Sequence, residues 1–342
     1  MDRSKQKIFF GADGSLTILQ VTDLHAFETP EAEDALSLRR AVETAKPDLI
    51  IMTGDNISGY ACKTAESAKA AIKHNMDVIS QFGLPVAIVF GNHDDDTTPY
   101  DKHAQIAQYE TYPCFIGCEG FTAERTIGGK YTLHTGNYYI PVYESAKSER
   151  IVWNLWCFDS GNNHADPTVD SYGYVFPEQV DWYLQTSNAL KQKNGGVPVP
   201  ALVFQHIAPP QIVRALKEVP PETPGAVEFA GSRYVLPDSV DKEKNWMREA
   251  PCPPNTDLPE GYAQVDAMLK QGDVKAVFFG HDHINSFVVN YEGIDLVCSP
   301  GCGFHSYNDE HKGFRVITLH KDDLNGYETY TLRTDALLAF SE

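Results

Sequence analysis

Long apolar runs are missing from this sequence, and so is any excess of positive charge. No stretch approaches the roughly 18 uninterrupted apolar residues that a membrane-spanning helix needs. The Ile8-Phe9-Phe10 run near the start is too short for the core of a secretory leader. The expectation is a cytoplasmic chain with no membrane span. Lysine and arginine number 28 against 47 aspartates and glutamates, a formal net charge of −19. That balance repels nucleic-acid backbones and anionic lipid, so no nucleic-acid binding is expected. Cysteine is sparse and odd in number, seven in all, which fits free thiols better than a disulfide framework. Cys114-x-x-x-Cys118 and Cys298-x-x-x-Cys302 have the outline of zinc half-sites. No nearby histidine pattern completes either one, and buried or loop thiols are expected instead. Internal repeats and low-complexity tracts are also absent.

What is present is ordinary globular composition. With 342 residues, 42% hydrophobic and 22% charged, the chain can bury a large core as two domains or one large α/β domain. An anionic substrate would have to be drawn in by a local positive centre, and bound metal ions supply one. Apolar runs of strand length fall at Leu16 to Val21, Asp48 to Met52, Val86 to Phe90, Ile151 to Phe158, Ala201 to Phe204 and Val274 to Phe279. Between them, Ala32 to Ala45, Ala65 to Gln81, Pro177 to Lys191 and Tyr262 to Lys270 have helical patterning. This alternation predicts a layered α/β fold with much parallel sheet, in which ligands gather at the carboxyl ends of strands. Loops or insertions are expected at about 95–150 and 209–261, together with a turn-rich tail after Gly301.

Five of the strand-like runs end in groups that can bind metal. They deliver, in order, Asp23-Leu24-His25, Gly54-Asp55, Gly91-Asn92-His93-Asp94, Gln205-His206 and Gly280-His281-Asp282-His283. Any one of these is usually a turn. Five of the twelve histidines at four of these five strand ends are hard to place there by coincidence, and a rigid sheet rim is how a protein fixes a metal site.

The series D-x-H, G-D, G-N-H-D, H, G-H-x-H resembles the signature of the calcineurin-like metallophosphoesterases, with every block intact between residues 23 and 283. The surroundings of His206 and His281, with Phe158-Asp159-Ser160-Gly161 and the segment from Gly301 to Tyr307, are similar to the subgroup of small phosphatases related to plant purple acid phosphatase 29. The resemblance implies one domain over 1–342, built as two packed mixed β-sheets flanked by helices. It implies that Asp23, His25 and His283 hold one metal ion, that Asn92, His206 and His281 hold another, and that Asp55 bridges them. Carboxylate, imidazole and amide donors suit manganese, iron or zinc. Such a pair lowers the pKa of a bridging water and neutralises phosphoryl charge. By the same resemblance His93 faces the phosphate and protonates the leaving oxygen, with Asp94 orienting it.

The implied activity is phosphoester hydrolysis, on a monoester first. A phosphodiesterase acting on cyclic nucleotides or other diesters is the alternative, and a scaffold that has lost catalysis is a third reading. Asp159 and His305 stand either on the same rim or as loop-stabilising partners. Asp95 and Asp96 are expected in a solvated loop, and His74, His103, His134, His164, His311 and His320 at the surface or in helix packing. The aromatic residues between Tyr109 and Tyr143 are expected to pack an extra hairpin rather than line a groove. In the purple enzymes a tyrosine three residues after the bridging aspartate binds ferric iron. Here Ser58 stands at that position, so a colourless protein is expected.

Overall fold

The computed structural model describes residues 6–339 other than 30, 95–98, 118–119, 128–129, 164–165, 167, 170 and 308–309. Cys118, Asp95, Asp96 and His164 therefore lie outside the described residues. Along the chain the strands are β1 (Ile8–Phe9), β2 (Ser15–Val21), β3 (Leu49–Thr53), β4 (Val86–Val89), β5 (Phe121–Ile127), β6 (Lys130–Tyr143), β7 (Ile151–Cys157), β8 (Ala201–Phe204), β9 (Lys217–Val219), β10 (Val227–Phe229), β11 (Ser232–Val235), β12 (Val274–Phe279), β13 (Phe287–Tyr291), β14 (Ile294–Cys298), β15 (Gly313–His320) and β16 (Asp323–Arg333). The helices are α1 (Ala32–Ala45), α2 (Ala65–Ile79), α3 (Lys102–Tyr109), α4 (Pro177–Lys193), α5 (Gln211–Ala215), α6 (Pro259–Gln271) and α7 (Thr334–Leu338).

Two large mixed sheets face each other. The smaller has the order β16-β15-β2-β3-β4, and the larger β1-β6-β7-β8-β12-β14-β13 with β5 beside β6. In the smaller, β2, β3 and β4 run parallel. In the larger, β7, β8, β12 and β14 do. Leu202, Phe204, Ala276 and Phe278 enter a core shared with Ile18, Ile50 and Met52 of the opposite sheet. Their alternates Ala201, Val203, Val277 and Phe279 enter a second core under α4 and α6, against Val180, Tyr183, Val265 and Met268. α1 and α2 bury Leu38, Ala41, Ala68, Ile72 and Met76 on the outer face of the smaller sheet. The result is helix, sheet, sheet, helix. A strand buried on both faces has no polar side to show, which explains the continuous apolar runs. Phe204 and Phe278 stack at 5.4 Å in the inter-sheet core, and truncating either to alanine should cost ~3–5 kcal/mol.

Helix ends differ slightly from the expected bounds. α2 begins on a reciprocal cap between Thr64 and Ser67. It stops at Ile79 rather than Gln81, because residues 80–82 tighten into a 3₁₀ turn closed by Gly83 at φ 66°.

All three segments expected to be loops or insertions carry regular structure. The 95–150 segment supplies α3 and the β5–β6 hairpin, and β6 is a full member of the larger sheet. Tyr109, Phe115 and Tyr138 from this segment pack into the core, whereas Tyr131 and Tyr139 are exposed. The tail after Gly301 supplies β15 and β16, and β15 pairs with β2 in the middle of the smaller sheet. Glycines, tyrosines and polar alternates masked their period-two pattern. The 209–261 segment holds α5 and a small antiparallel sheet of order β10-β11-β9 among turns. Among the described residues, no helix is long and apolar enough to cross a membrane.

Candidate metal centre

Asp23 and His25 follow β2, Asp55 follows β3, Asn92 follows β4, His206 follows β8, and His281 and His283 follow β12. All seven lie at carboxyl ends of parallel strands in the two facing sheets, and all seven are buried. Backbone hydrogen bonds tie the loops together: Asp23 N–H to Gly54 O at 3.1 Å, His25 N–H to Asp55 O at 2.8 Å, and Gly280 N–H to His206 O at 3.1 Å. Asp23, His25, Asp55 and His281 have φ of 55°, 47°, 49° and 75°. Left-handed backbone at non-glycine residues costs of order 1–3 kcal/mol each and collects at functional sites. At Gly54, with φ 93°, a Cβ would lie 2.5 Å from His206 Nδ1. That close approach explains why the aspartate is preceded by glycine.

Each anchored side chain keeps one polar atom tied and presents another. Asp55 Oδ1 accepts the His93 N–H at 2.8 Å, while Oδ2 faces His206 Nε2 at 3.2 Å and His25 Nε2 at 3.5 Å. Asp23 Oδ2 accepts from Thr22 Oγ1 and the His281 N–H, and Oδ1 faces His283 Nε2 at 3.1 Å. His206 Nδ1 donates to Thr53 O at 2.9 Å, and His283 Nδ1 meets Tyr307 O and Ser306 Oγ at 2.9 and 2.7 Å. Burial disfavours charge on His206, but Asp55 and Asp23 overcome it and push its pKa up to about 10. His283 is treated likewise, burial being outweighed by Asp23, and rises to about 9. Burial drives His25 and His281 down to about 4 and about 3.

Asp23 Oδ1, Asp55 Oδ2, Asn92 Oδ1, His206 Nε2, His281 Nε2 and His25 Nδ1 are buried with no hydrogen-bond partner. Asp23 Oδ1, Asp55 Oδ2 and His206 Nε2 keep ion-pair contacts, whereas Asn92 Oδ1 and His281 Nε2 have none, at a cost of ~1–3 kcal/mol apiece. The arrangement fits cations. Asp23, His25, Asp55 and His283 form one group, and Asp55, His206 and His281 a second, with the ligand atoms in each within 4.8 Å of one another. Carboxylate, imidazole and amide oxygen without thiolate are donors for transition-metal ions of intermediate hardness.

His93 belongs to neither group. It is half-buried, its ring 5.3 Å from that of His25 and 5.4 Å from that of Tyr60. The hydrogen bonds of Asp94 give it a bracing role besides the expected one toward His93. Both carboxylate oxygens accept from the Gly91, Asn56 and Ile57 N–H groups and the Asn56 amide, so Asp94 braces the loops beneath the site. Asp159 takes the loop-stabilising alternative, in a buried ion pair with Lys102 at 2.9 Å and accepting from the Thr135 and Gly161 N–H groups. His305 packs at a tilt against Phe27, ring centroids 4.2 Å apart, and faces Glu31, off the site. His74 bonds the Phe27 carbonyl and His134 the Gln179 amide. Cys298 and Cys302 are buried free thiols.

The expected set missed three neighbours of the ligands. Tyr172 meets His281 edge-on at 4.3 Å, Tyr307 stacks over His283 at 4.2 Å, and Ser306 bonds His283. Tyr172 lies in a segment with no periodicity to mark it.

Comparison with known proteins agrees with this geometry. A family model described as calcineurin-like phosphoesterase matches residues 16–204, more than half of the chain. "Probable inactive purple acid phosphatase 29" of Arabidopsis thaliana is 26% identical over 329 residues, covering 89% of this chain and 76% of that one. "Probable inactive purple acid phosphatase 28" from the same plant is 29% identical over 333 residues, covering 90% and 76%. Among solved structures, a dimetal phosphatase from Danio rerio superposes with a TM-score of 0.51 at 12% identity, covering 92% of this chain and 98% of that one. That last likeness is one of fold.

Proposed function

The chain belongs to the calcineurin-like phosphoesterase family, and from that premise we propose that it is a dinuclear-metal phosphomonoesterase working as one domain. In this reading Asp23, His25 and His283 hold one ion, Asn92, His206 and His281 hold the other, and Asp55 spans both. Asp55 is the residue common to the two ligand groups, which supports a bridge. When bound, such an ion pair activates water for attack at phosphorus and neutralises the phosphoryl charge. Manganese, iron and zinc are the metals proposed.

The protein's own residues do the rest. His93, outside the ligand groups and within ring contact of His25, protonates the leaving oxygen. Asp94 acts at one remove, by holding the loops that carry Asp55 and Asn92. Asp55 keeps its orientation through the His93 N–H.

The observation that carries the proposal is the convergence of buried, unpartnered polar atoms from five strand ends. Its test is elemental analysis together with hydrolysis of para-nitrophenyl phosphate and bis-para-nitrophenyl phosphate across Mn, Fe, Zn and Ni. Two ions per chain and a faster monoester are expected, and a faster diester would move the assignment to a phosphodiesterase. The names of the plant relatives favour a second reading, a family member that has lost catalysis. A chain that holds two ions yet hydrolyses neither ester above the rate of the free metal would be that scaffold.

A further inference from the structure

One cavity concentrates basic side chains against the acidic balance of the chain. It has a volume of about 460 Å³, shares no residue with the candidate metal centre, and is lined by Lys242, Lys244, Arg248, Arg315 and Arg333 beside Trp246. Glu243 is the carboxylate among its lining residues. Asp241 stands 3.6 Å from Lys244 and Asp335 pairs with Arg333, while Glu310 lies at the margin, 3.8 Å from His311. Even so, five cations gather here in a chain carrying 28 basic against 47 acidic residues. Chance placement in so acidic a chain would give the opposite sign.

Arg315 makes the cluster more than a surface patch. It lies on β15 with 2% of its surface exposed. Nε and Nη2 donate to Ser299 Oγ, Ser286 Oγ and Cys298 O, all neutral acceptors. Among the described residues no carboxylate stands within ion-pair distance of it. A guanidinium buried without a counter-charge is costly, and buried charges are ordinarily paired. An anion in the cavity that Arg315 lines would supply the missing partner. Guanidinium groups match the oxygens of phosphate in paired hydrogen bonds, and the lysines add point charge. The indole of Trp246 is held by its Nε1–H on Ile284 O, and half-exposed Tyr330 adds a second aromatic wall.

We propose that this cavity is a second anion site, which takes the phosphate chain of a small molecule and is separate from the metal centre. The test is titration calorimetry of inorganic tripolyphosphate and of ATP into three forms of the protein: the metal-loaded wild type, the metal-poor Asp55→Asn, and the metal-loaded triple variant Lys242→Ala/Lys244→Ala/Arg248→Gln. Asp55→Asn should keep the binding event, and the triple variant should weaken it by about ten-fold or more, as expected for lost charge-assisted hydrogen bonds. Equal affinity for the two ligands assigns the site to the phosphate chain alone, whereas tighter ATP binding assigns it to a nucleotide stacked on the aromatic wall. Lys69→Ala/Lys73→Ala/Lys147→Ala, neutralising three lysines elsewhere, should leave binding unchanged. The proposal fails if the wild type binds neither ligand, if Asp55→Asn loses the event, or if the two triple variants weaken it equally.

Discussion

Stripping metal from the centre should remove a large part of this protein's stability, because the ligation free energy is lost and Asn92 Oδ1 and His281 Nε2 are left without polar partners. Ligation of the folded state adds RT ln(1 + [M]/Kd) per site, about 2.7 kcal/mol when free metal stands at about 100 times Kd. Two sites give ~5 kcal/mol. At roughly 2–4 °C per kcal/mol, the figure for a domain somewhat smaller than this one, the melting temperature should fall by ~10–20 °C on chelation. Asp55→Asn sharpens the test, since it keeps the Oδ1 acceptor for the His93 N–H while removing the charge shared by both ligand groups. That variant should hold fewer than one ion per chain and barely respond to chelator. His25→Ala touches one group, so it should retain one ion and about half of the thermal response. Scanning calorimetry with and without chelator, paired with elemental analysis, reads both quantities. A wild-type shift below ~2 °C, far short of the linkage expectation, or an Asp55→Asn protein that keeps both ions, would refute the reasoning.

His93→Ala should leave metal content intact and lower kcat by ~10²–10⁴, the range for a lost general acid. The deficit should shrink on esters with good leaving groups, and loss of metal in that variant would make His93 a ligand instead. Asp34, whose Oδ1 accepts the Phe304 N–H at 2.9 Å, has its pKa pushed up to about 7 by burial that this hydrogen bond only partly offsets. Between about pH 4 and 7 the folded chain holds a proton that the unfolded chain has released, so this group's contribution falls as pH rises through that window and is flat above it. Asp34→Asn should therefore be more stable than the wild type at pH 8, by at most ~4 kcal/mol, and close to it near pH 4 in urea unfolding; an equal difference at both pH values contradicts the assignment. Finally, the iron-loaded, oxidised protein should show no tyrosinate band, since Ser58 is buried where a phenolate would be needed and Tyr60 lies 42% exposed against His93. A visible band that disappears in Tyr60→Phe overturns this.

The site was legible because each ligand block lies in the first few residues after an apolar strand, where local sequence and three-dimensional placement coincide. β2, β3, β4, β8 and β12 are buried on both faces, so their composition alone announces them. β16 is exposed on one side and spends its alternate positions on polar residues, and β15 sits behind a turn-rich stretch, so neither stands out. The bracing role of Asp94 was hidden for a related reason: its neighbour in sequence is His93, but its partners Asn56 and Ile57 come from the loop after β3. The cationic cavity was invisible for the same cause at larger scale. Its walls come from 242–248, the region of 311–315 and 329–333; Lys242, Lys244 and Arg248 are close in sequence, but Arg315 and Arg333 join them only in the fold.

The division of labour within each ligand explains why the motif residues alone do not define the site. Two-atom ligands need a tether as well as a donor: His206 needs Thr53 O, His283 needs Ser306 and Tyr307 O, and Asp23 needs Thr22 Oγ1. With Nδ1 of His206 and His283 committed to carbonyl acceptors, Nε2 of each ring is the atom left to face an ion in the proposed centre, in a fixed orientation. Thr22 is tied in turn to Thr53 O at 3.2 Å, so one carbonyl at the end of β3 sets the direction of ligands from both sheets. Such outer partners are commonly worth about 10–100-fold in metal affinity, comparable with losing a weak ligand. Since Thr22, Thr53 and Ser306 are chosen by the packing of one sheet rim against the other, their side chains carry no pattern that a single strand could announce, and they become visible only when the two rims are brought together.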